Sequence, residues 1–425
     1  MDPRQPGGQP PPPSPPLSPP PVAGAALLTL IERTLSTGTA VHLPGPDFLR
    51  LTLPLFDGDP DDGSRDAPGD GSGNGSEDGA TDGPSGAVPF TVDVIADPAR
   101  APRGVVYLLP GGGLNFTASF LTPGARNLAQ DLRRRGFLVV GLTPREDAAR
   151  PGDVTAEWGL AAHRRDLARV VDALDPVLRL PYQYAGHSAG AALALDAASH
   201  DPSPRLRRVV VLDTTGPLTG AGAVRAAATR DAYAAQLAAG TYASDAGLAG
   251  LVSRAVTDPG GPSPAPWPRD PALRFTNAGL AHYALIHTAE LPGPANWIYA
   301  RGHSAGTYAF GATPAEDRFT LTHTPLTLWH AATAALGSGL VPVALLRDLC
   351  AAWAGDGTGY SLAWDRIGAE VLWLTTEFGR GDHPRGADLI RASGNPRVTY
   401  RLIPGYGHAD AVWSTTAAQD IWPLL

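Results

Sequence analysis

Residues 186–190 read Gly186-His187-Ser188-Ala189-Gly190, and with their flanks they constrain the fold more than any other stretch. Leu180 to Ala185 has the composition of a short buried strand, and Ala191 to Ala198 is built from strong helix formers. A strand that enters a helix through so sharp a turn lifts the serine hydroxyl above a sheet, and the turn leaves no room for side chains at the flanking glycines. In a chain with 50 glycines the pentapeptide alone means little; strand, turn and helix together predict a nucleophile at Ser188.

Composition narrows the chemistry. All 33 basic residues are arginine, which removes a Schiff-base lysine, pyridoxal phosphate and a lysine-bearing phosphate loop from consideration. The single cysteine, Cys350, excludes an intrachain disulfide and a multi-cysteine metal site, and its Ala/Leu/Trp-rich surroundings predict a packing role. We expect no cofactor and no metal. The net charge of −8 equals that of Asp57 to Val88 alone, which sets nine acids against Arg65. No basic stripe remains for nucleic acid or an anionic membrane. No apolar run spans a bilayer and no h-region follows the start, so a cytoplasmic protein is expected, with a surface helix at Ala23 to Ile31.

The expected organisation is a disordered Pro-rich tail (1–22), a core begun by 23–214, an insertion (215–367) and a core completed by 368–425. Within the first core part, 57–88 reads as a disordered acidic insertion. Its Asp57-x-Asp59-x-Asp61 start is not a calcium loop, because Asp62 stands where glycine is needed and no closing glutamate follows. Strands are predicted at Phe48–Leu55, near an edge because of Pro54, and at Val88–Ile95. From Gly104, strands (105–109, 137–142, 180–185, 206–212) alternate with helices (125–135, 163–174, 191–198), which predicts an α/β fold with a mainly parallel sheet and helices on both faces. The insertion reads as a large, mostly helical cap, with helices near 224–239, 324–336 and 342–353, the second capped by Thr324 with Pro325 in its first turn. Strands resume at 370–375 and 397–403, and a last helix is expected at 415–421.

Three features complete the chemistry. Pro110-Gly111-Gly112-Gly113 follows a strand, so the amides of Gly112 and Gly113, with that of Ala189, can form an oxyanion hole. His408, in a glycine-framed loop after the last strand, is the candidate base for Ser188. The acid that orients His408 is open at this level: Asp382 is preferred, Glu377 is the alternative, and Asp213 is a further possibility with a structural role as its first reading.

Taken together, the Gly111–Gly113 loop, the 186–190 turn, the acid-bearing loop 377–382 and Gly407-His408 resemble the α/β-hydrolase superfamily in its Ser-acid-His chain order. The Gly-His-x-Asp ending with Trp413 and Ala417 resembles lipase and esterase members. The resemblance implies acyl transfer to Ser188 followed by hydrolysis by water that His408 activates. It covers Val105–Leu212 and Val371 to the C-terminus, and the insertion has no part in it. The Gly-x-x-Asp setting of Asp382 begins later after its strand than is usual in the family.

A second Gly-His-Ser-Ala-Gly occurs at 302–306. Trp297 to Ala300 reads as a possible strand before it, but Gly311 and Pro314 follow where a helix is needed, so Ser304 is not expected to be a nucleophile. His303 or Ser304 could instead line the substrate site. Aromatic residues of the insertion (Tyr233, Tyr283, Trp297, Tyr299, Tyr308, Phe310, Trp329, Trp353) suggest an apolar or aromatic small-molecule acyl substrate, with packing of the cap as the competing explanation. The expected activity is hydrolysis of a carboxylic ester. A thioesterase, amidase or acyltransferase would carry the same residues, and a non-catalytic ligand-binding protein on the same fold is the distinct alternative.

Overall fold

The structure is a computed structural model that describes residues 24–35, 40–42, 48–53, 90–124, 126–245 and 247–425. The tail 1–22 and the acidic stretch 57–88 lie outside the described residues. Seven strands come first: β1 (Ala40–His42), β2 (Phe48–Leu53), β3 (Phe90–Ile95), β4 (Gly104–Leu109), β5 (Phe137–Thr143), β6 (Tyr182–His187) and β7 (Leu206–Leu212). The helices among them are α1 (Gly24–Leu35), α2 (Phe116–Phe120), α3 (Leu128–Arg134), α4 (Leu160–Leu178) and α5 (Ala189–His200). Helix α1, expected as a surface helix, buries Leu27, Leu28, Ile31 and Leu35 along one side.

The segment between β7 and the next sheet strand is more mixed than the expected helical cap. It holds α6 (Gly220–Ala238), α7 (Leu248–Thr257), α8 (Asn277–Ile286), α9 (Leu326–Thr333) and α10 (Val343–Ala354). It also holds three antiparallel strand pairs: β8 (Ala243–Asp245) with β13 (Leu340–Pro342), β9 (Pro262–Trp267) with β10 (Asp270–Thr276), and β11 (Gly306–Ala309) with β12 (Arg318–Leu321). The proline-rich PSPAPW of β9 hides a strand from pattern reading. Thr324 does not cap α9; Pro325 stands at the N-cap, and the buried Thr324 hydroxyl donates to Asp410 Oδ1 at 2.6 Å.

Strands β14 (Glu370–Thr376) and β15 (Val398–Ile403), separated by α11 (Arg385–Ala392), close the sheet. The last helix is shorter than expected, one turn at Ala417–Asp420. The strand order is β1-β2-β3-β5-β4-β6-β7-β14-β15, parallel from β5 onward and antiparallel from β1 to the β3/β5 pair. Strand β2 therefore lies one place in from the edge. Successive residues feed opposite faces: Val105, Tyr107 and Leu109 join one apolar cluster, Val106 and Leu108 the other. The same division separates Val209 and Val211 from Val210 and Leu212, and Val371 and Trp373 from Leu372 and Leu374. Near-continuous apolar strands are what a sheet covered on both faces requires.

The order also fixes where a site can form. From β4 the chain moves outward to β5, then returns across β4 to β6 and proceeds the other way. Open α/β sheets bind ligands at the carboxyl ends of strands at such a reversal. The Gly111–Gly113 loop follows β4 and Ser188 follows β6, side by side across that reversal.

Candidate active site

Ser188 has φ 58° and ψ −118°, a backbone conformation that side chains rarely adopt. A Cβ at Gly186 would lie 2.0 Å from the Gly190 carbonyl oxygen, and one at Gly190 would lie 2.2 Å from that of Leu109. Both glycines are thus sterically obligatory, as the sequence implied. The turn is held by the Ser188 N–H, which donates to Leu212 O at 2.9 Å.

His408 follows β15 and is 3% exposed; its Nδ1 lies 2.5 Å from Asp213 Oδ2. The carboxylate that meets His408 is therefore not Asp382, the one preferred from the sequence, nor Glu377. Asp213 closes β7 with φ 51° and is completely buried. Its Oδ1 accepts from the Thr376 N–H at 2.7 Å, and Oδ2 accepts from the Arg380 N–H at 3.2 Å. A Cβ at Gly379 would come within 2.1 Å of Asp213 Oδ2, so that glycine makes room for the carboxylate. Asp382 instead accepts from the Tyr400 hydroxyl at 2.9 Å, and Glu377 accepts from the Gly405 N–H at 2.7 Å; both are exposed and neither bonds His408. The left-handed turn at Gly381 (φ 72°) accompanies this outward course of the 377–382 loop.

With Nδ1–H donated to Asp213, Nε2 of neutral His408 carries the lone pair a base needs. Burial, the neighbouring His187 and the cation of Arg380 push the His408 pKa well below the ordinary histidine value, and burial raises Asp213 to about 6. His187, held neutral with its pKa lowered to about 4 by burial, lies 4.5 Å from the His408 ring between centroids. Its Nε2–H donates to the His408 carbonyl at 2.9 Å. Among the described residues, the Ser188 hydroxyl accepts a hydrogen bond from Arg380 Nη2 at 3.4 Å, and no hydrogen bond joins it to His408. Catalytic contacts often tighten only when substrate binds.

Ser188, His408, Arg380, Gly111, Gly112 and Ala189 line one cavity of about 450 Å³. Of the expected oxyanion donors, Ala189 heads α5, where first-turn N–H groups have no intrahelical partner. Gly113 (φ 72°) packs instead toward Val341 and Gly339 and does not line the cavity. The aromatic set also divides. Tyr233, Tyr299, Trp329 and Trp353 line the cavity, whereas Tyr283, Tyr308 and Phe310 pack in tilted and edge-on contacts with one another, and Phe310 with Phe275. Trp297 lies in an adjoining depression.

The second Gly-His-Ser-Ala-Gly lacks the geometry of the first. A single 3-10 turn (Asn296–Ile298) precedes it and β11 follows. Ser304 is fully buried, and its hydroxyl accepts from Trp329 Nε1 at 3.0 Å. The segment grips the histidine loop: His408 N–H donates to Gly302 O at 3.2 Å and Ala409 N–H to His303 O at 2.8 Å. A Cβ at Gly407 would lie 2.5 Å from Ser304 Cα. Buried Asp410 ties both strands of this contact, accepting from the N–H of Ala305 (2.7 Å) and of Gly407 (2.8 Å). His303 lines the cavity; Ser304 does not. On its other side the segment meets the Arg380 loop, since Ala300 N–H donates to Gly379 O at 2.6 Å and Gly302 N–H to Phe378 O at 2.8 Å.

Two residues of the site carry no signal in the sequence, Arg380 and His187. Arg380 sat in view between two glycines, but nothing in the chain marked it as buried.

Neither a protein-family model nor a curated protein matches the sequence. Solved structures do resemble it. A candidate lipase from Sulfolobus solfataricus aligns over 92% of this chain and 97% of its own, at 14% identity and a TM-score of 0.57. A carboxyl esterase from Bacillus coagulans aligns over 76% and 88%, at 13% identity and a TM-score of 0.43. The thioesterase domain of the curacin biosynthetic pathway aligns over 79% and 94%, at 13% and 0.42. The chain has the α/β-hydrolase fold. At such identities the likeness is one of architecture. No helix among the described residues is long and apolar enough to cross a membrane.

Proposed function

We propose that the protein is a serine hydrolase acting on carboxylic esters through an acyl-enzyme at Ser188. The observation that carries this reading is the His408–Asp213 contact of 2.5 Å in the same cavity as a serine held at φ 58°. In the first half-reaction Ser188 Oγ bonds to the ester carbonyl carbon as its proton passes to His408 Nε2. The Ala189 and Gly112 N–H groups stabilise the resulting oxyanion. Collapse breaks the ester C–O bond, and His408 returns the proton to the departing alkoxide. Water then repeats the sequence in reverse roles, releasing the carboxylic acid and free Ser188. Asp213 holds the His408 tautomer, in place of Asp382 or Glu377. The segment between β7 and β14 serves as the cap over the site, as its contribution of Tyr299, His303 and Trp353 to the cavity supports.

The test is hydrolysis of p-nitrophenyl acyl esters of graded chain length. Wild type is expected to turn over at least one, and Ser188→Ala and His408→Ala to lose several orders of magnitude in kcat/KM. A wild type inert to every ester, thioester and amide would favour the binding-protein alternative, to which the Arg380–Ser188 contact lends some support.

A further inference from the structure

Arg380 is the most unusual side chain in the cavity. It is 5% exposed, and its guanidinium carbon lies 4.5 Å from the centre of the Tyr299 ring and 5.4 Å from that of Trp353. Nη2 reaches Ser188 Oγ at 3.4 Å, while Nε and Nη1 are buried with no hydrogen-bond partner. Among the described residues, no carboxylate comes within 4.0 Å of the guanidinium, and Asp213 is engaged by His408. The Tyr299 phenol feels the same cation, although burial leaves its pKa raised.

A buried guanidinium is costly unless paired, and its planar fork matches a carboxylate bidentately. Aromatic contacts help to hold the cation but do not satisfy N–H donors. Nη2 stands at the nucleophile, and the two other nitrogens of the same fork leave donor capacity that no group among the described residues uses. We propose that Arg380 is the anion-recognition residue of this cavity and that the ester acted on carries a carboxylate close to its scissile bond, as in the half-ester of a short dicarboxylic acid. The scissile carbon must sit about 3 Å from Ser188 Oγ, so the tether to a carboxylate on Arg380 is short, roughly two to four bonds. The inference rests on Ser188 being the nucleophile and extends it from reaction type to substrate class. It replaces a wholly apolar substrate with one whose apolar part meets the rings and whose charge meets Arg380.

The experiment compares kcat/KM for methyl hydrogen glutarate and dimethyl glutarate at pH 8, where His408 is neutral. Wild type should favour the half-ester by about a hundredfold, the scale on which losing one partner of a buried charge pair is felt. Arg380→Met should bring that ratio near one, with Arg380→Lys in between. In parallel, glutarate should raise the melting temperature of Ser188→Ala and not that of Ser188→Ala/Arg380→Met. Equal use of both esters by wild type would overturn the proposal, as would an equal fall on both esters in a folded Arg380→Met, which would give Arg380 the role of holding Ser188. Should Arg380→Met not fold, competitive inhibition of wild type by glutarate but not by dimethyl glutarate supports the proposal, and its absence overturns it. Glutarate binding to Ser188→Ala with no ester turned over by wild type would uphold the anion site while removing the hydrolase reading.

Discussion

Asp213, Glu377 and Asp382 all follow parallel strands, so chain order alone could not rank them. What separates them is burial. Asp213 has no exposed surface and shares its carboxylate among His408 and the N–H groups of Thr376 and Arg380, whereas Glu377 and Asp382 serve surface turns. Asp213→Asn is expected to lower kcat by about 10³–10⁴, the loss seen when the orienting acid of a triad becomes an amide. Asp382→Asn and Glu377→Gln should stay within a few fold of wild type. Collapse of either, with Asp213→Asn active, would reverse the assignment. The pH profile belongs to the same residues. His408 must be neutral to act as base, and its pKa is depressed, so kcat/KM for a neutral ester should already be on its plateau at pH 6.5 and fall only at lower pH. Arg380→Met removes one cause of that depression, so the acid limb should move to higher pH. An acid limb centred at or above 6.5 in wild type would contradict the electrostatics.

At the scale of elements, the 302–306 segment is a clasp on the histidine loop. The repeated pentapeptide means opposite things in its two settings. Between β6 and α5 its glycines permit a strained turn; in the inserted segment Gly302 permits close approach to Leu285 and Ile286 carbonyl groups. Ser304→Ala removes the acceptor of the buried Trp329 N–H and should cost about 1–3 kcal/mol of stability while leaving labelling of Ser188 intact. Gly407→Ala pushes a methyl into Ser304 backbone and should lower turnover by displacing His408, with the Ser188 turn untouched. Thermal denaturation and turnover, measured on both variants, check this pair. A Ser304→Ala that is as stable as wild type but inactive would mean that the segment takes part in the chemistry.

For the whole molecule, the parallel sheet, the strand–turn–helix at Ser188 and the C-terminal His408 were legible because each depends on local pattern: alternation of apolar strands and helices, obligatory glycines, position after the last strand. What was not legible depends on tertiary placement. Asp213 looked structural because it sits at a strand end, yet that strand neighbours both β6 and β14, which brings its carboxylate under His408. Arg380 looked like a loop residue until the inserted segment supplied Tyr299 and Trp353 around it. Strands β8, β11, β12 and β13 were missed because they run three or four residues, and β9 and β10 because prolines interrupt their pattern.

Whether Ser188 is the nucleophile can be read by mapping the adduct of a fluorophosphonate probe by mass spectrometry of peptides from the labelled protein. One equivalent of probe is expected on the peptide containing Ser188, abolished in Ser188→Ala and strongly slowed in His408→Ala. An adduct on the peptide containing Ser304, or labelling that survives Ser188→Ala, would contradict it.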